Sequence, residues 1–189
     1  MISIVSVFKM KRLFLDYFKK NEFIKNDKVG FRRFDPNQDS IRQNFTKEDW
    51  EMIFYDVEEQ ILKDWAASYN IDRMLLMAVD MKSGKSFGFI CIQESHNKPL
   101  FVCFHGGVWN HGIKDQLLGY EATDLILRFL VDNHMDVFVT CYKWNTKANR
   151  FLNSLGFVDY YRDEKLYYKK LKEECLNTNI MCKRNGLKS

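Results

Sequence analysis

Three side chains that can exchange protons stand at the ends of predicted strands. His105, Glu94 and Tyr142 each close a run of apolar, strand-forming residues. A histidine titrates near neutral pH and suits a general base, and a carboxylate or a phenol can also take part in proton transfer. Each of the three also has a structural interpretation: His105 as a strand-end hydrogen-bond partner, Glu94 as a solvated strand terminus, and Tyr142 as a half-buried interface aromatic.

The elements that must position these residues begin with a basic amphipathic stretch. Residues 7–26 place apolar side chains at helical spacing with lysines and an arginine between them. This pattern fits a helix docked on its own domain, or one that lies on an anionic membrane or binds a partner. Val29–Phe34 then predicts a strand. Thr46 followed by Asp49 resembles a helix-capping signal, and the apolar spacing after it predicts a helix ending near Asn70.

The middle of the chain predicts a mixed sheet. Three strands, a long buried helix and a fourth strand are expected over residues 74–79, 87–93, 100–104, 117–131 and 135–142. A Ser-Gly turn joins the first two strands as an antiparallel hairpin, and Gly106 and Gly107 should end the third. A strand, a helix and a strand in that order require the two strands to be parallel.

The segment that follows carries the most specific pattern in the chain. Residues 148–155 predict a short helix that Gly156 ends, and a closing hairpin is expected from strands over 158–161 and 166–171. Residues 145–157 resemble the pattern N-x-x-[SA]-x-x-x-[YL]-x-x-x-G-F of the GNAT (GCN5-related N-acetyltransferase) superfamily, in its ribosomal-protein N-acetyltransferase-like branch. The order of the elements extends this resemblance to about residues 29–171.

The resemblance implies an α/β (α+β) GNAT fold. Its mixed central sheet should have about six to seven strands flanked by helices, with an extra helix at the N-terminus. The domains it implies are a basic amphipathic extension over 1–28, the acetyltransferase domain over 29–171, and a flexible basic tail over 172–189.

By resemblance, the chain should bind acetyl-CoA as a cosubstrate beside the long helix. The family's coenzyme loop, Q/R-x-x-G-x-G/A, is matched only in part by Gln116–Glu121. Small residues are needed in that loop because backbone N–H groups at a helix N-terminus must approach the pyrophosphate. Glu121 would repel the phosphates. It must therefore point away from them, or the loop is offset towards residues 112–114, or coenzyme binding has been lost.

Nine residues are expected to contact the coenzyme, and no metal is expected. They are Phe104, Gly106, Gly107, Lys114, Gln116, Gly119, Tyr120, Asn145 and Asn149. For two of them a simpler interpretation stays open, because Lys114 is also a plain solvated lysine and Asn145 is also a plain helix cap.

The resemblance further implies that an acceptor amine attacks the thioester directly. His105 is the first candidate for the base and Glu94 the second. The family's general acid is often a tyrosine at the position of Leu152, so Tyr142 or direct protonation of the thiolate would have to replace it. The main hypothesis is an N-acetyltransferase acting on a small-molecule or protein amine. The alternative is a non-catalytic GNAT-like binding module with a degenerate coenzyme loop.

Charge is distributed unevenly along the chain. Residues 1–34 carry a net charge of +6 and residues 165–189 carry +5, whereas residues 35–164 carry −7. The basic ends could bind nucleic acid or an anionic surface. The acidic residues between 48 and 64 could concentrate a cationic acceptor, although such a run is commonly only a solvated helix face.

Composition narrows the class of protein. A chain of 189 residues with 46% apolar residues fits one domain. Among the possible partners is a second copy of the chain, in a homodimer. No apolar run reaches the roughly 18 residues that span a bilayer, and the first charges follow the apolar N-terminal stretch, unlike a secretory signal. A cytoplasmic location is therefore expected. Five cysteines without CxxC spacing predict free thiols, with neither a disulfide framework nor a zinc site.

Overall fold

The computed structural model describes residues 9–54, 60, 61, 63, 64, 73–94, 101–108 and 113–172, but not the side chains of 52–54, 101–106 and 113–115. The helices are α1 (Lys9–Phe18), α2 (Lys47–Phe54), α3 (Ile113–Asp132) and α4 (Thr146–Ser154). The strands are β1 (Ile24–Lys25), β2 (Val29–Arg33), β3 (Arg73–Asp80), β4 (Ser86–Glu94), β5 (Phe101–Val108), β6 (Asp136–Tyr142), β7 (Phe157–Arg162) and β8 (Leu166–Leu171).

The strands form one mixed sheet in the order β1-β2-β3-β4-β5-β6-β8-β7. Every neighbouring pair is antiparallel except β5 and β6, which are parallel and are joined by the crossover helix α3. The predicted mixed sheet, its β3–β4 hairpin and its β7–β8 hairpin are therefore confirmed. The sheet has eight described strands instead of six to seven, because the two-residue β1 also pairs with β2.

Strand β5 extends beyond its predicted end. Gly106 and Gly107, which were expected to stop it, lie inside the strand and pair with β4 as far as Val108. On β4, a Cβ added to Gly88 would lie 2.6 Å from the carbonyl oxygen of Gly107. The glycines thus allow two backbones to approach closely within the sheet, and the prediction that they break the strand was wrong.

Two apolar clusters cover the two faces of the sheet. On the first face, α1, α3 and α4 pack over alternate strand residues such as Leu76, Ile90 and Ile92. On the second face, Trp50 of α2 packs in a cluster with Leu75, Met77, Phe89 and Cys91, among others. Alternation along β3 and β4 therefore divides their side chains between two cores, as expected for strands buried on both faces.

Helix α1 docks on its own domain. Met10 and Phe14 are fully buried, and the ring of Phe14 lies 5.2 Å from that of Phe129 on α3. Of the alternatives for the amphipathic stretch, docking on its own domain therefore applies to α1. The apolar side of the helix packs in the core. None of the helices in the described ranges has the length and apolar content to cross a membrane.

Local signals at two helices act as predicted. Thr46 Oγ1 accepts a hydrogen bond from the N–H of Asp49 at 3.1 Å, which caps α2. Of the predicted continuation of this helix to Asn70, only residues 60, 61, 63 and 64 fall in the described part, and these are helical. At the other helix, Gly156 follows α4 with φ of 92°, the left-handed conformation that ends a helix.

Candidate active site

The two parallel strands separate partway along their length. β5 and β6 are paired only as far as Cys103 and Phe138. Beyond that pair, in the part of the chain that the structure describes, β5 continues beside β4 to Val108 and β6 continues beside β8 to Tyr142. The result is a gap between two parallel strands, of the kind that the resemblance implies for the coenzyme.

One side of this gap is the segment that contains the first candidate base. The backbone of His105 pairs with that of Cys91 on β4, at a level where β5 no longer pairs with β6. Gly106 and Gly107 follow, and they have no Cβ to obstruct a ligand that lies along the strand. The side chains of Phe104, His105 and Lys114 lie outside what the structure describes, so their roles stay predictions.

Helix α3 starts earlier than predicted. It begins at Ile113, so the backbone N–H groups that point out of its N-terminus include those of residues 113–115. Gln116 is exposed in this first turn, whereas Gly119 and Tyr120 lie in the next turn. Residues 116–121 therefore belong to the helix and do not form a loop. The helix begins within residues 112–114, the alternative position of the coenzyme loop in the sequence analysis.

Two residues of the predicted coenzyme loop have structural partners. A Cβ on Gly119 would lie 3.1 Å from Val108 Cγ1, so glycine here lets α3 pack closely on β5. Glu121 Oε1 lies 3.0 Å from Lys28 Nζ, and the Glu121 side chain is only 17% exposed. The ion pair turns the carboxylate towards the segment between β1 and β2 and compensates its charge.

Tyr120 connects α3 to α4. Its ring meets that of Phe151 edge to face with 4.6 Å between centroids, and its hydroxyl shares a hydrogen bond with Ser154 Oγ. Ser154 Oγ also donates to the carbonyl of Phe151 at 2.6 Å. The side chain that was predicted to contact the coenzyme therefore sets the spacing between the two helices beside the gap.

Two asparagines lie on the other side of the gap, where β6 leads into α4: Asn145 directly before the helix and Asn149 within it. Asn145 Oδ1 accepts from the N–H of Ala148 at 3.1 Å and so caps the helix. Asn149 Nδ2 donates to the carbonyls of Tyr142 and Asn145 at 2.8 and 2.9 Å. Two carbonyl acceptors require the amide nitrogen on that side, so the orientation of Asn149 is fixed. Its Oδ1 is buried without a hydrogen-bond partner among the described residues.

Tyr142 is joined by an aromatic neighbour that the sequence analysis did not single out. The Trp144 ring stacks on the Tyr142 ring with 5.2 Å between centroids and 20° between planes, and Trp144 is 60% exposed. A tryptophan directly before the cap residue Asn145 was the available signal. Tyr142 thus ends β6 beside an exposed aromatic side chain.

Leu152 belongs to the core. It is 5% exposed and lies in the same apolar cluster as Leu155 and Phe157. A buried leucine cannot donate a proton, so the position where the family often has a tyrosine supplies packing in this chain.

Glu94 does not join the residues at the gap. It pairs with Val102, at the end of β5 where β5 and β6 are still together. It is 2% exposed, and its Oε2 accepts a hydrogen bond from the backbone N–H of Met10 at 2.8 Å. A carboxylate at that place stabilises the first turn of α1 through both the hydrogen bond and the helix dipole.

This contact predicts a stability effect. We expect Glu94→Ala to lower the free energy of unfolding by about 1.5–3 kcal/mol, the usual range for a hydrogen bond to a charged group. Glu51→Ala is the matched control, because the Glu51 side chain is 52% exposed in a 3.7 Å pair with Lys47. Urea unfolding followed by circular dichroism measures both. Equal effects for the two variants would contradict the assignment of Glu94 to the α1 terminus.

Both thiols whose side chains the structure describes are buried. Cys91 and Cys141 form no disulfide bond. Burial raises the pKa of Cys141, an effect that the charge of Lys169 partly offsets, so the thiol stays protonated near neutral pH. Among the described residues, no cluster of three or more His, Cys, Asp or Glu is placed to hold a metal ion.

Comparison with known proteins identifies the fold. No family model matches the sequence, and no curated protein sequence matches it. Solved structures do match. Apo FdhC, a nucleotide-linked sugar GNAT, is 14% identical with a TM-score of 0.67 over 87% of this chain and 97% of its own.

Two bacterial structures are similar to a comparable degree. A GNAT-family acetyltransferase from Bacillus anthracis is 13% identical, with a TM-score of 0.65 over 80% of this chain and 99% of its own. A protein from Vibrio cholerae assigned as a ribosomal-protein-serine acetyltransferase is also 13% identical, with a TM-score of 0.62 over 79% and 96%. The chain therefore has the GNAT fold, which was the expectation from residues 145–157.

Proposed function

We propose that this protein is an N-acetyltransferase that transfers an acetyl group from acetyl-CoA to an amine. The observation that carries the proposal is the separation of β5 from β6 beyond Cys103 and Phe138, next to the first turn of α3. The GNAT fold of the chain supports it.

The gap suits the two chemically different parts of the coenzyme. The pyrophosphate would lie at the N-terminus of α3, near the backbone N–H groups of residues 113–115, where the helix dipole adds a favourable potential. The pantetheine arm, which carries amide N–H donors, would run between the strands beside Gly106 and Gly107. The buried Asn149 Oδ1 fits this arrangement, since it is an acceptor that needs a donor.

The chain's own residues would manage the protons. Our proposal assigns His105 as the base that takes a proton from the attacking amine, directly or through water. Tyr142 would return a proton to the leaving thiolate, unless the thiolate is protonated from solvent. The structure holds Tyr142 at the end of β6 through the hydrogen bond from Asn149 to its carbonyl. Glu94 has a structural role that makes it the weaker candidate for the base.

The acceptor would approach from the face of the sheet that carries α2. This helix contacts β5 on the face opposite to α3. Glu48 and Glu51 are exposed at its start and favour a cationic amine through long-range attraction. The similar structures are named for different acceptors, a nucleotide-linked sugar and a ribosomal-protein serine, so we propose only the class of the acceptor.

Calorimetric titration with acetyl-CoA tests the coenzyme site. We expect a dissociation constant of roughly 1–100 µM. Asn149→Ala should weaken binding by about tenfold, the effect of losing one hydrogen bond and the anchoring of the β6 end. Asn153→Ala is the matched control on the same helix, since Asn153 Oδ1 bonds Lys169 Nζ at 2.9 Å and should leave the affinity unchanged.

The outcome separates the enzyme from the non-catalytic alternative. Binding together with acetylation of any amine in a broad panel supports the proposed enzyme. Binding without turnover would favour a GNAT-like binding module, for which the buried Leu152 is the supporting observation. No binding up to millimolar acetyl-CoA would refute both the coenzyme site and the enzyme.

A further inference from the structure

One face of the C-terminal half of the sheet carries aromatic side chains. Side chains directly opposite each other on neighbouring strands share a face. The register pairs Thr140 of β6 with Tyr168 of β8, and Tyr168 in turn with Tyr161 of β7. Phe138 lies on the same face of β6 as Thr140, two residues along the strand. We call the following group the aromatic face: Phe138, Tyr142, Trp144, Tyr160, Tyr161 and Tyr168.

The rings of the aromatic face are held in contacting pairs. The Trp144 ring stacks on that of Tyr142 with 5.2 Å between centroids. Phe138 meets Tyr160 edge to face at 5.6 Å, and the rings of Tyr161 and Tyr168 are 5.3 Å apart. Because each ring is supported by a neighbour, a ligand that binds here meets side chains that are already ordered.

Three of these rings remain open to solvent. Tyr160 is 72% exposed, Trp144 60% and Tyr161 59%. Contiguous exposed aromatic surface of this kind marks sites of interaction. Tyr142 covers one side of the Trp144 indole, so the exposed part of the indole lies away from Tyr142. A flat ring that is supported on one side and open on the other is suited to stacking by a further flat group.

Positive charge is in surplus in this part of the chain. Residues 142–170 hold seven Lys and Arg against three Asp and Glu. Two of the lysines have carboxylate partners, since Lys169 pairs with Asp159, and Lys170 pairs with Asp136. The other charged side chains are at least partly exposed, five cations against two carboxylates: Lys143, Lys147, Arg150, Arg162 and Lys165 against Asp163 and Glu164.

Several of these cations gather at the end of the face that holds the stack of Tyr142 and Trp144. The Lys143 N–H donates to the carbonyl of Lys165 at 3.0 Å, which brings the two lysines together. Lys143 Nζ lies 5.7 Å from the centre of the Tyr167 ring, and Tyr167 pairs with Arg162 in the sheet register. Exposed rings therefore border a group of positive charges.

We propose that the aromatic face binds a single-stranded nucleic acid. Unpaired bases stack on exposed aromatic rings, while the phosphates of the same strand lie near lysines and arginines. A duplex keeps its bases stacked on one another and does not offer them to these rings. RNA and DNA single strands share this chemistry. The inference goes beyond the proposed acetyltransferase and does not depend on it.

Fluorescence anisotropy of labelled oligomers of about 15 nucleotides, one of uridine and one of thymidine, tests the proposal on the full-length chain. We expect a dissociation constant of about 1–100 µM near physiological salt, and weaker binding as salt is added. Binding of either oligomer supports the proposal when the variants below weaken it, and the ratio of the two affinities distinguishes RNA from DNA through the 2′-hydroxyl.

Replacing both exposed tyrosines, Tyr160→Ala with Tyr161→Ala, should raise the dissociation constant by at least about tenfold, because each lost ring removes a stacking partner. Leu117→Ala is the matched control, since Leu117 is 51% exposed on α3 outside the aromatic face. Trp144→Ala should also weaken binding, whereas Trp144→Phe should retain most of it. Circular dichroism keeps loss of folding separate from loss of binding.

The contribution of the charges has its own variant. Arg162→Gln with Lys165→Gln should reduce the dependence of log affinity on log salt by roughly one to two, because two phosphate contacts are lost. Lys82→Gln, at an exposed lysine in the turn between β3 and β4, is the control and should leave that dependence unchanged.

Four results would overturn the proposal. The first is the absence of binding for both oligomers up to about 1 mM, well above the usual range for contacts without sequence preference. The second is unchanged affinity in the double tyrosine variant, which would place the contact elsewhere, for example in the basic ends of the chain. The third is equal affinity for a duplex, since stacking would then not be used. The fourth is binding to phosphatidylserine vesicles but to neither oligomer, which would assign the face to a membrane.

Discussion

Replacing His105 with alanine is expected to lower kcat by about 10²–10⁴-fold, the usual contribution of a positioned general base. The dissociation constant for acetyl-CoA should change little, because the backbone of β5 stays paired with β4 at Cys91. An imidazole base must be neutral to accept a proton, so the wild-type rate should rise with pH as the histidine titrates. In His105→Ala the part of this dependence that comes from the imidazole should disappear, whereas the part that comes from deprotonation of the acceptor amine should remain. Steady-state rates across pH, with the best amine from a panel, measure both effects.

A second histidine provides the control for this variant. His134 follows α3 with a φ of 59°, a left-handed conformation that asparagine tolerates well. His134→Asn should therefore keep both the fold and the rate. If His105→Ala retained the wild-type rate and pH profile, the base would have to be another group or solvent, and the proposed proton transfer would be wrong.

The largest stability effect is expected at Phe14. Truncation of a fully buried phenylalanine to alanine costs about 3–5 kcal/mol, because it removes apolar burial and leaves a cavity. Phe14 is 0% exposed, and its ring contacts those of Phe18 and Phe129. Leu117→Ala, at a residue 51% exposed, should stay within about 0.5 kcal/mol of the wild type. Urea unfolding measures both variants.

This result would also decide how α1 relates to the domain proposed over residues 29–171. A loss as large as expected means that α1 is part of the cooperative core, so a chain beginning at residue 29 would expose the pocket of Met10 and Phe14. A change below about 1 kcal/mol would instead mean that α1 contributes little to the folded state.

The features predicted correctly from sequence depend on nearby residues. The cap of α4 needs only Asn145 and the N–H of Ala148, three residues later, and its end needs only a glycine at 156. Likewise, Thr46 and Asp49 are neighbours on one turn. The order of strands around a long helix was enough to require one parallel pair, which is the β5–β6 pair.

The features that were missed depend on distant residues. Two successive glycines such as Gly106 and Gly107 commonly end a strand. In this sheet they lie inside β5, where the backbone of Gly107 closely approaches Gly88 of β4. The partner of Glu94 lies 84 residues away, so no local pattern assigns this carboxylate to the terminus of α1. Lys28, the partner of Glu121, lies 93 residues away, so the sequence pattern around Glu121 does not predict this ion pair either. Side-chain roles at the candidate site follow from tertiary contacts that spacing alone does not contain.

The docking of α1 has a consequence for synthesis of the chain on the ribosome. Its residues contact Glu94 of β4 and Phe129 of α3, which lie more than 80 residues further along the chain and emerge later. Until then the apolar side of α1 has no partner, and an isolated helix of ten residues is marginal in water. Helix α1 should therefore be among the last elements to dock during translation. A nascent chain stalled before α3 should expose Met10 and Phe14 to chaperones.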